Sequence, residues 1–363
     1  MAAKALQPVP FGGLTDPGQR ARQRTLDLLV HPEAGDKLRA RSVALRAVRD
    51  TLLAEGYLEA ETPILGTVHG GATARPFRTF SHAYGVDLVL RIAPELALKR
   101  LLAGDMGPVF EMGRNFRNEG ADATHNSEFT VLEAYKPFAD YHDMRRLTES
   151  VIKAAARAVY GAEVIPLPGP DGVSQLVDVS GEWPVVTVCE AVSAAVGQQV
   201  DQFTDLETLL GLARAHQVAV HDGMGPGAVL EELYGELVEG ATIMPTFYAD
   251  FPVETSPLTG PHRSKPGLVE RWDLVIRGSE LGTAYSELND PIEQRRRLTE
   301  QSWKAAAGDA EAMEIDDDFL AALEAGMPPA GGLGIGLDRV VMLLTESNIR
   351  EVLSFPFVRP KRA

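Results

Sequence analysis

The stretch GPVFEMGRNFRNEGADATHNSEFTVLEAYKPF, residues 107–138, decides the fold that we predict for this chain. Its two ends, 107–118 and 127–138, both have the pattern of a strand, and a small polar loop separates them. Alternation of side chains with a period of two is typical of β-strands, and strands adjacent in sequence most simply pair antiparallel. We therefore predict a β-hairpin at this position.

The second strand of this hairpin has an unusual face. Phe129, Val131, Glu133 and Tyr135 all point to the same side if the strand is regular. A carboxylate inside a core needs a partner, so this face is poor core material. It suits the wall of a polar pocket.

Helices and further strands surround the hairpin in the sequence. Helical patterns cover about 14–31, 33–55 and 142–160, and strand patterns return at 246–252, 272–282 and 330–336. Between 162 and 240 the composition shifts, and we predict a largely helical insertion there. Antiparallel strand pairs with helices between them indicate an α+β fold around one large sheet. We predict one catalytic domain over residues 1–363, with the insertion inside it.

Composition restricts the location and the partners of the protein. The 363 residues include one cysteine, so a disulfide framework is excluded and a reducing compartment, the cytoplasm, is predicted. No apolar run approaches the roughly 20 residues of a membrane span, and no secretory signal is recognisable, so no membrane contact is expected. The net charge of −16 argues against extensive phosphate binding, although residues 1–50 are locally basic.

The segment DLVIRGSELG, residues 273–282, predicts a second hairpin with Arg277-Gly278 as its turn. Asp273 and Glu280 then lie diagonally on one face, within about 8 Å of each other. Two carboxylates at that distance repel unless a cation lies between them, and Mg²⁺ bound to phosphate oxygens would satisfy both. A surface hairpin with two solvated acids explains the same pattern.

Two arginines are candidates for phosphate binding. Arg339 follows the glycine-rich stretch AGGLGIG and lies in the first turn of a predicted helix, where the helix dipole favours anions. Arg117 carries a planar guanidinium at the end of the first strand. A packed glycine strand and an Arg–Glu surface pair are the plain structural alternatives. No P-loop occurs, so ATP would have to bind in another way.

The order of these segments resembles the three motifs of class II aminoacyl-tRNA synthetases. From about residue 10 to the C-terminus, short segments of the sequence are similar to those of the catalytic domain of lysyl-tRNA synthetases. The segments that carry this resemblance are GLTDPGQRARQRTLDLLVHPE, GGATARPF, LRIAPELALKRLLAG, GRNFRNEG, HNSEFTVLEAY, ELGTAYSELNDP, AGDAEAM and PPAGGLGIGLDRVVMLLTES. The resemblance implies a class II fold, an antiparallel sheet flanked by helices.

The resemblance also implies an ATP site and its metal. Arg117 and Arg339 would be the catalytic cations, on the α-phosphate and the terminal phosphate. The implied ATP-binding set is Arg117, Glu119, His125, Phe129 and Arg339, with Phe129 stacking on adenine. Asp273 and Glu280 would hold Mg²⁺. The family usually has Glu at the position of Asp273.

For the amino acid, the resemblance implies recognition of L-lysine. Gly71 and Glu95 would bind its α-amino group, and Glu287 with Tyr135 would take its ε-ammonium. The residues implied for the stem and the carboxylate are Tyr285 and Thr283. Many relatives have Asn where Thr283 stands, and this departure is treated as a subfamily mark.

The resemblance predicts a lysine–tRNA ligase that forms lysyl-adenylate from ATP and L-lysine and charges tRNA(Lys). The chain begins where the family's anticodon-binding barrel would end, so adenylate formation is the better supported half. Transfer of lysine to a non-tRNA acceptor, such as a translation elongation factor, is the first alternative. A non-catalytic paralogue that binds lysine or a nucleotide is the second. Similar proteins are homodimers, so a homodimer is expected.

Overall fold

The computed structural model describes residue 9 and residues 12–169, 171–221, 223–306 and 312–359 of the chain. The strands, numbered along the chain, are β1 (Leu58–Glu59), β2 (Leu65–Gly66), β3 (Arg78–Ser81), β4 (Val86–Leu90), β5 (Val109–Phe116), β6 (Glu128–Pro137), β7 (Val164–Pro168), β8 (Ser174–Asp178), β9 (Val185–Thr187), β10 (Thr246–Pro252), β11 (Leu268–Ile276), β12 (Ser279–Ser286) and β13 (Ala330–Gly336).

The α-helices precede, separate and follow these strands. They are α1 (Pro17–Arg22), α2 (Arg24–Val30), α3 (Pro32–Ala54), α4 (Glu95–Ala103), α5 (Tyr141–Tyr160), α6 (Val188–Val196), α7 (Leu206–Ala215), α8 (Pro226–Leu237), α9 (Pro291–Ala306), α10 (Asp317–Gly326), α11 (Leu337–Thr345) and α12 (Ile349–Val352). Two short 3₁₀ helices are Glu239–Ala241 and Val253–Thr255.

Eight strands form the main sheet, in the order β1-β5-β6-β13-β12-β11-β10-β9. Its six inner strands pair antiparallel, while β1 and β9 join the two edges in parallel. The predicted α+β fold around one large, mainly antiparallel sheet is therefore confirmed. The β5–β6 hairpin is also present, with Asn115 opposite Phe129 at its loop end.

Helices α3, α5 and α11 cover one face of this sheet and build the largest apolar core. Helix α5 begins with a capping box in which Asp140 and Asp143 satisfy each other's backbone N–H groups, and it ends at Gly161 in a left-handed conformation. Leu147, Val151 and Ala155 then recur on its buried side. With one face closed by these helices, the opposite face of the central strands is left for a binding site.

The prediction of one helix over residues 14–31 is wrong in one respect. The chain breaks at Gln23 into α1 and α2, because Gln23 leaves helical backbone geometry and caps both. Asp16 caps α1, and Pro17 lies in its first turn.

Residues 162–240 contain strands before their helices. The β7–β8 hairpin and β9 come first, and α6, α7 and α8 follow with a second apolar cluster against β10 and β11. The segment TDLE, residues 204–207, has the sequence pattern of a capping box, but α7 is capped one residue later, by Asp205. Treating this region as an insertion remains a prediction.

Candidate functional site

A cavity of about 380 Å³ lies against β6, β12 and β13. Every candidate site residue lines it except Asp273 and Glu287, which are buried and each lie beside a lining residue, Arg271 and Gly332 respectively. The candidate residues in its wall are Gly71, Glu95, Arg117, Glu119, His125, Phe129, Tyr135, Glu280, Thr283, Tyr285 and Arg339. The fold thus brings residues from five separate stretches of sequence, at 71, 95, 117–135, 280–285 and 339, to one place.

The face of β6 forms the floor predicted from its alternation. Phe129, Val131, Glu133 and Tyr135 all line the cavity, and the Tyr135 hydroxyl donates to Glu133 Oε2 at 2.9 Å. Burial, with repulsion from Glu95 added, raises the pKa of Glu133 to about 8. Glu133 therefore holds a proton near neutrality until a cation approaches it.

One end of the cavity is built to hold ammonium groups. Lys99 is completely buried, and its Nζ lies 2.6 Å from Glu95 Oε1 and also contacts the Glu287 carboxylate. Burial alone would lower the pKa of Lys99, but the Glu287 and Glu95 carboxylates outweigh it and raise that pKa. Burial is the largest influence on the Glu287 carboxyl and raises its pKa; the Lys99 ammonium opposes this effect, and Glu95 adds to it. Among the residues that the structure describes, neither Glu287 oxygen has a well-directed hydrogen-bond donor.

Two glycines let the chain approach these carboxylates. Gly71 has φ +83°, and a Cβ there would stand 2.9 Å from the Glu95 Cβ. On β13, a Cβ at Gly332 would overlap the Glu287 carboxylate and the Tyr135 ring. Larger side chains at either position would therefore fill the ammonium end of the cavity.

The other end of the cavity is cationic and aromatic. Arg339 Nη1 donates to the Glu280 carbonyl at 2.5 Å, and its Nη2 lies 3.1 Å from His125 Nε2. The Arg117 guanidinium lies 5.1 Å from the centre of the Phe129 ring, and its buried Nε has no hydrogen-bond partner among the described residues. An anion with a flat ring attached would find both cations and a stacking surface here.

The loop between β5 and β6 fixes the imidazole of His125. The Asp122 carboxylate accepts from the backbone N–H groups of Thr124 and His125 at 2.7 Å each. These bonds, that from Thr124 first, hold the pKa of Asp122 well below its usual range. Glu119, in the same loop, is exposed at the rim of the cavity.

The hairpin of β11 and β12 has the predicted turn. Arg277 and Gly278 have φ values of +53° and +68°, and Val275 lies opposite Glu280. A bulge follows, because Leu274 pairs with Gly282 and leaves Leu281 as an extra residue. Asp273 consequently faces Thr283, whose hydroxyl donates to the Trp272 carbonyl at 3.1 Å.

The acid pair already has a cation beside it. Arg271 donates from Nη2 and Nε to the two oxygens of Asp273, at 2.8 and 3.1 Å. Glu280 accepts no such bond from a described side chain; burial, then repulsion from Asp273, raises its pKa to about 7. Glu239 lies close by, since its carboxylate accepts from the Glu280 N–H at 3.0 Å. The described residues contain no cluster of three or more His, Cys, Asp or Glu side chains that could hold a metal.

The Asp273 and Glu280 carboxylates fit a hard cation that takes most of its ligands from groups outside the protein. Glu280 offers a buried carboxylate whose raised pKa a cation would relieve, and Asp273 offers only the lone pairs that Arg271 leaves. Mg²⁺ typically takes one or two carboxylates together with substrate phosphates and water. The pair therefore suits Mg²⁺ bound with a nucleotide better than a metal held by protein alone.

Three residues of the site were not predicted from the sequence, Lys99, Glu239 and Arg271, and Glu133 was predicted only as part of the pocket wall. Glu133 already stood on the face predicted to line a pocket, so the strand period was a usable signal. Lys99 lies one helical turn after Glu95, at a spacing that brings the two side chains together. Arg271 lies two residues before Asp273 on β11, so the strand period was again a usable signal. Glu239 gave no local signal, because it reaches Glu280 from the 3₁₀ helix that follows α8.

The chain belongs to the family described as tRNA synthetases class II (D, K and N), whose sequence profile matches residues 16–359. Its mixed sheet flanked by helices is the fold of that class.

Curated relatives are similar over almost the whole chain. The lysylphosphatidylglycerol biosynthesis bifunctional protein LysX of Mycobacterium avium (strain 104) is 56% identical over 362 residues, which are 99% of this chain and 31% of that protein. Proteins of the same name from Nocardia farcinica and Rhodococcus opacus are 55% and 54% identical, over 32% and 33% of their lengths. The chain spans about a third of the relatives it matches.

Among the described residues, no helix is both long enough and apolar enough to cross a membrane.

Proposed function

We propose that this chain activates L-lysine with ATP, forming lysyl-adenylate and releasing pyrophosphate. One observation supports the proposal: buried carboxylates suited to binding ammonium groups lie at one end of a cavity, and two arginines and a phenylalanine ring lie at its other end. The first part matches the two ammonium groups of lysine, and the second part matches a nucleoside triphosphate. The family to which the chain belongs supports the same chemistry.

In this reaction a carboxylate oxygen of lysine attacks the α-phosphorus of ATP, and the bond to the β-phosphate breaks. Arg117 would stabilise the negative charge that develops on the α-phosphate oxygens, and Arg339 with His125 would hold the outer phosphates. No general base is required, because the nucleophile is already ionised. The contribution of the protein is charge stabilisation and alignment of the two substrates.

Magnesium would supply Lewis-acid stabilisation of the phosphate oxygens when it is bound. Glu280 and Asp273 are the residues that would hold it. Arg271 would keep Asp273 in place by its bidentate contact, and Glu239 would fix the backbone of Glu280.

Selection of lysine would depend on Glu287 and Glu95. An amino acid whose side chain is neutral would offer no ammonium group to the buried Glu287 carboxylate. Sites built on such polar contacts reject analogues by about 10⁴–10⁵. Norleucine, which lacks the ε-amino group, should therefore not be activated.

Lysine-dependent exchange of labelled pyrophosphate into ATP tests this proposal. We expect exchange with lysine and Mg²⁺, and none with norleucine. Absence of lysine-dependent exchange in a folded preparation that binds ATP would favour the non-catalytic paralogue. Exchange with another amino acid would overturn the choice of substrate.

The names of the relatives favour a final acceptor of the lysyl group that is not tRNA. Those proteins are named for lysylphosphatidylglycerol biosynthesis. We propose that lysine activated here is destined for a phosphatidylglycerol-type lipid. Charging of tRNA(Lys), by a homodimer of this domain, is the second candidate, and it stands on the family alone.

Labelled lysine separates the two acceptors. The chain, ATP and Mg²⁺ are incubated with total tRNA, with phosphatidylglycerol vesicles, or with both. Label on lipid without tRNA supports direct lipid transfer. Label on tRNA alone supports ligation, and label on lipid only when tRNA is present identifies tRNA as a carrier of the lysyl group.

A further inference from the structure

The buried ammonium of Lys99 links two carboxylates from distant parts of the chain. Glu95 lies one turn earlier on α4, and Glu287 follows β12. The side chains of Lys99 and Glu287 are fully buried, and that of Glu95 is 7% exposed. Burying an ammonium is unfavourable unless it is paired, so the contacts to both acids are what keep Lys99 in this position.

The formal charges around Lys99 are unequal. Glu95 and Glu287 contribute two carboxylates, and among the ion pairs of the described residues Lys99 is the cation in contact with both. One negative charge is therefore left over at this pair. An ammonium group of a diamino acid would supply the positive charge that the pair lacks.

We propose that Lys99 is a positioning residue that determines specificity for a diamino acid: its ammonium holds the Glu95 and Glu287 carboxylates in place and leaves this pair with one uncompensated negative charge for an ammonium group of the substrate. This inference rests on the proposed function, because it concerns the same amino-acid site. Lys99 acts through Glu95 and Glu287 and does not touch the reacting atoms.

The proposal makes a prediction opposite to that of simple attraction. Removing a cation makes the pocket formally more negative, and attraction alone would then bind lysine more tightly. If Lys99 positions the acids, its loss lets Glu95 and Glu287 repel each other or take up protons, and lysine binding becomes weaker. The direction of the change in KM therefore distinguishes the two views.

The experiment compares Lys99→Met with wild type in lysine-dependent pyrophosphate exchange. We expect the KM for lysine to rise at least tenfold, while kcat and the KM for ATP change less than threefold. Lys153→Met is the matched control, because Lys153 forms an i,i+4 pair with Glu149 at 3.0 Å outside the cavity. It should leave all three constants unchanged. Lys99→Gln, whose amide donates to the carboxylates without charge, replaces Lys99→Met if that variant does not fold.

Chemical rescue separates charge from packing. Lys99→Ala lacks the atoms of propylamine, so propylammonium should lower its KM for lysine toward the wild-type value. Propanol, neutral and of similar size, should not, and wild type measured with both additives corrects for competition at the substrate site.

The outcomes are distinct for the two proposals. If wild type shows no lysine-dependent exchange, the proposed function fails. If wild type is active but the neutral variants at Lys99 keep or lower the KM for lysine, or propanol rescues as well as propylammonium, the positioning role is wrong.

Discussion

Replacing Glu287 by Gln should impair lysine activation and leave ATP binding intact. The Glu287 side chain is fully buried beside the ammonium pocket, and no residue of the phosphate end contacts it in the described structure. The substitution keeps the shape and removes the charge. A hydrogen bond assisted by charge contributes about 1.5–3 kcal/mol. At 1.4 kcal/mol per tenfold change, kcat/KM for lysine should fall by about 10- to 150-fold.

The fold should tolerate this change, because Lys99 keeps its contact with Glu95. Pyrophosphate exchange over a range of lysine concentrations gives kcat/KM, and the KM for ATP is measured in the same preparations. Glu111→Gln is the matched control: Glu111 is also buried and pairs with Arg91, but it does not line the cavity. Undiminished exchange with lysine in Glu287→Gln would refute the role given to this carboxylate.

Three further predictions concern the same cavity. Gly332→Ala should raise the KM for lysine about tenfold, because the new methyl group overlaps Glu287 and Tyr135 and overpacking costs about 1–3 kcal/mol. Gly235→Ala, which has open space around it, is the control and should leave this KM unchanged. Equal values of KM in the two variants would contradict the packing argument. The folded pKa of Glu133, about 8, lies above its ordinary value of 4.5, so the stability it contributes is present below about pH 4.5 and is lost as the pH rises through 8. Urea unfolding of Glu133→Gln should thus show at least about 1 kcal/mol less pH dependence between pH 5 and 9 than wild type, and parallel curves would exclude this titration. Glu280→Gln should raise the Mg²⁺ concentration needed for half-maximal exchange, and an unchanged Mg²⁺ titration would remove Glu280 from the metal site.

Much of the sheet was predictable from local pattern. The alternation in β5 and β6 placed Glu133 and Tyr135 on one face, and the turn at Arg277 and Gly278 paired Val275 with Glu280 as expected. Short-range geometry of this kind follows from the strand period and the turn type. The break at Gln23 was not predictable in the same way, since the apolar pattern of a helix continues through it.

The contacts of Asp273 and Glu280 were only partly predictable from the local sequence. The sequence placed Asp273 and Glu280 near each other and required a cation between them. The structure provides one in Arg271, only two residues from Asp273 on the same strand. The requirement followed from charge, and the period of two already places Arg271 on the same face as Asp273. The bidentate contact itself depends on the rotamer that the packed strand allows.

The sequence by itself determined the order of the strands along the chain, the face of β6 and the chemical types of side chain gathered in the site. Only the tertiary structure decided that Lys99 lies between Glu95 and Glu287, and that Glu239 reaches the acid pair. The physical reason is range: local periodicity fixes the direction of each side chain. Contacts between residues far apart in sequence depend on how the sheet is ordered and on how helices pack against it.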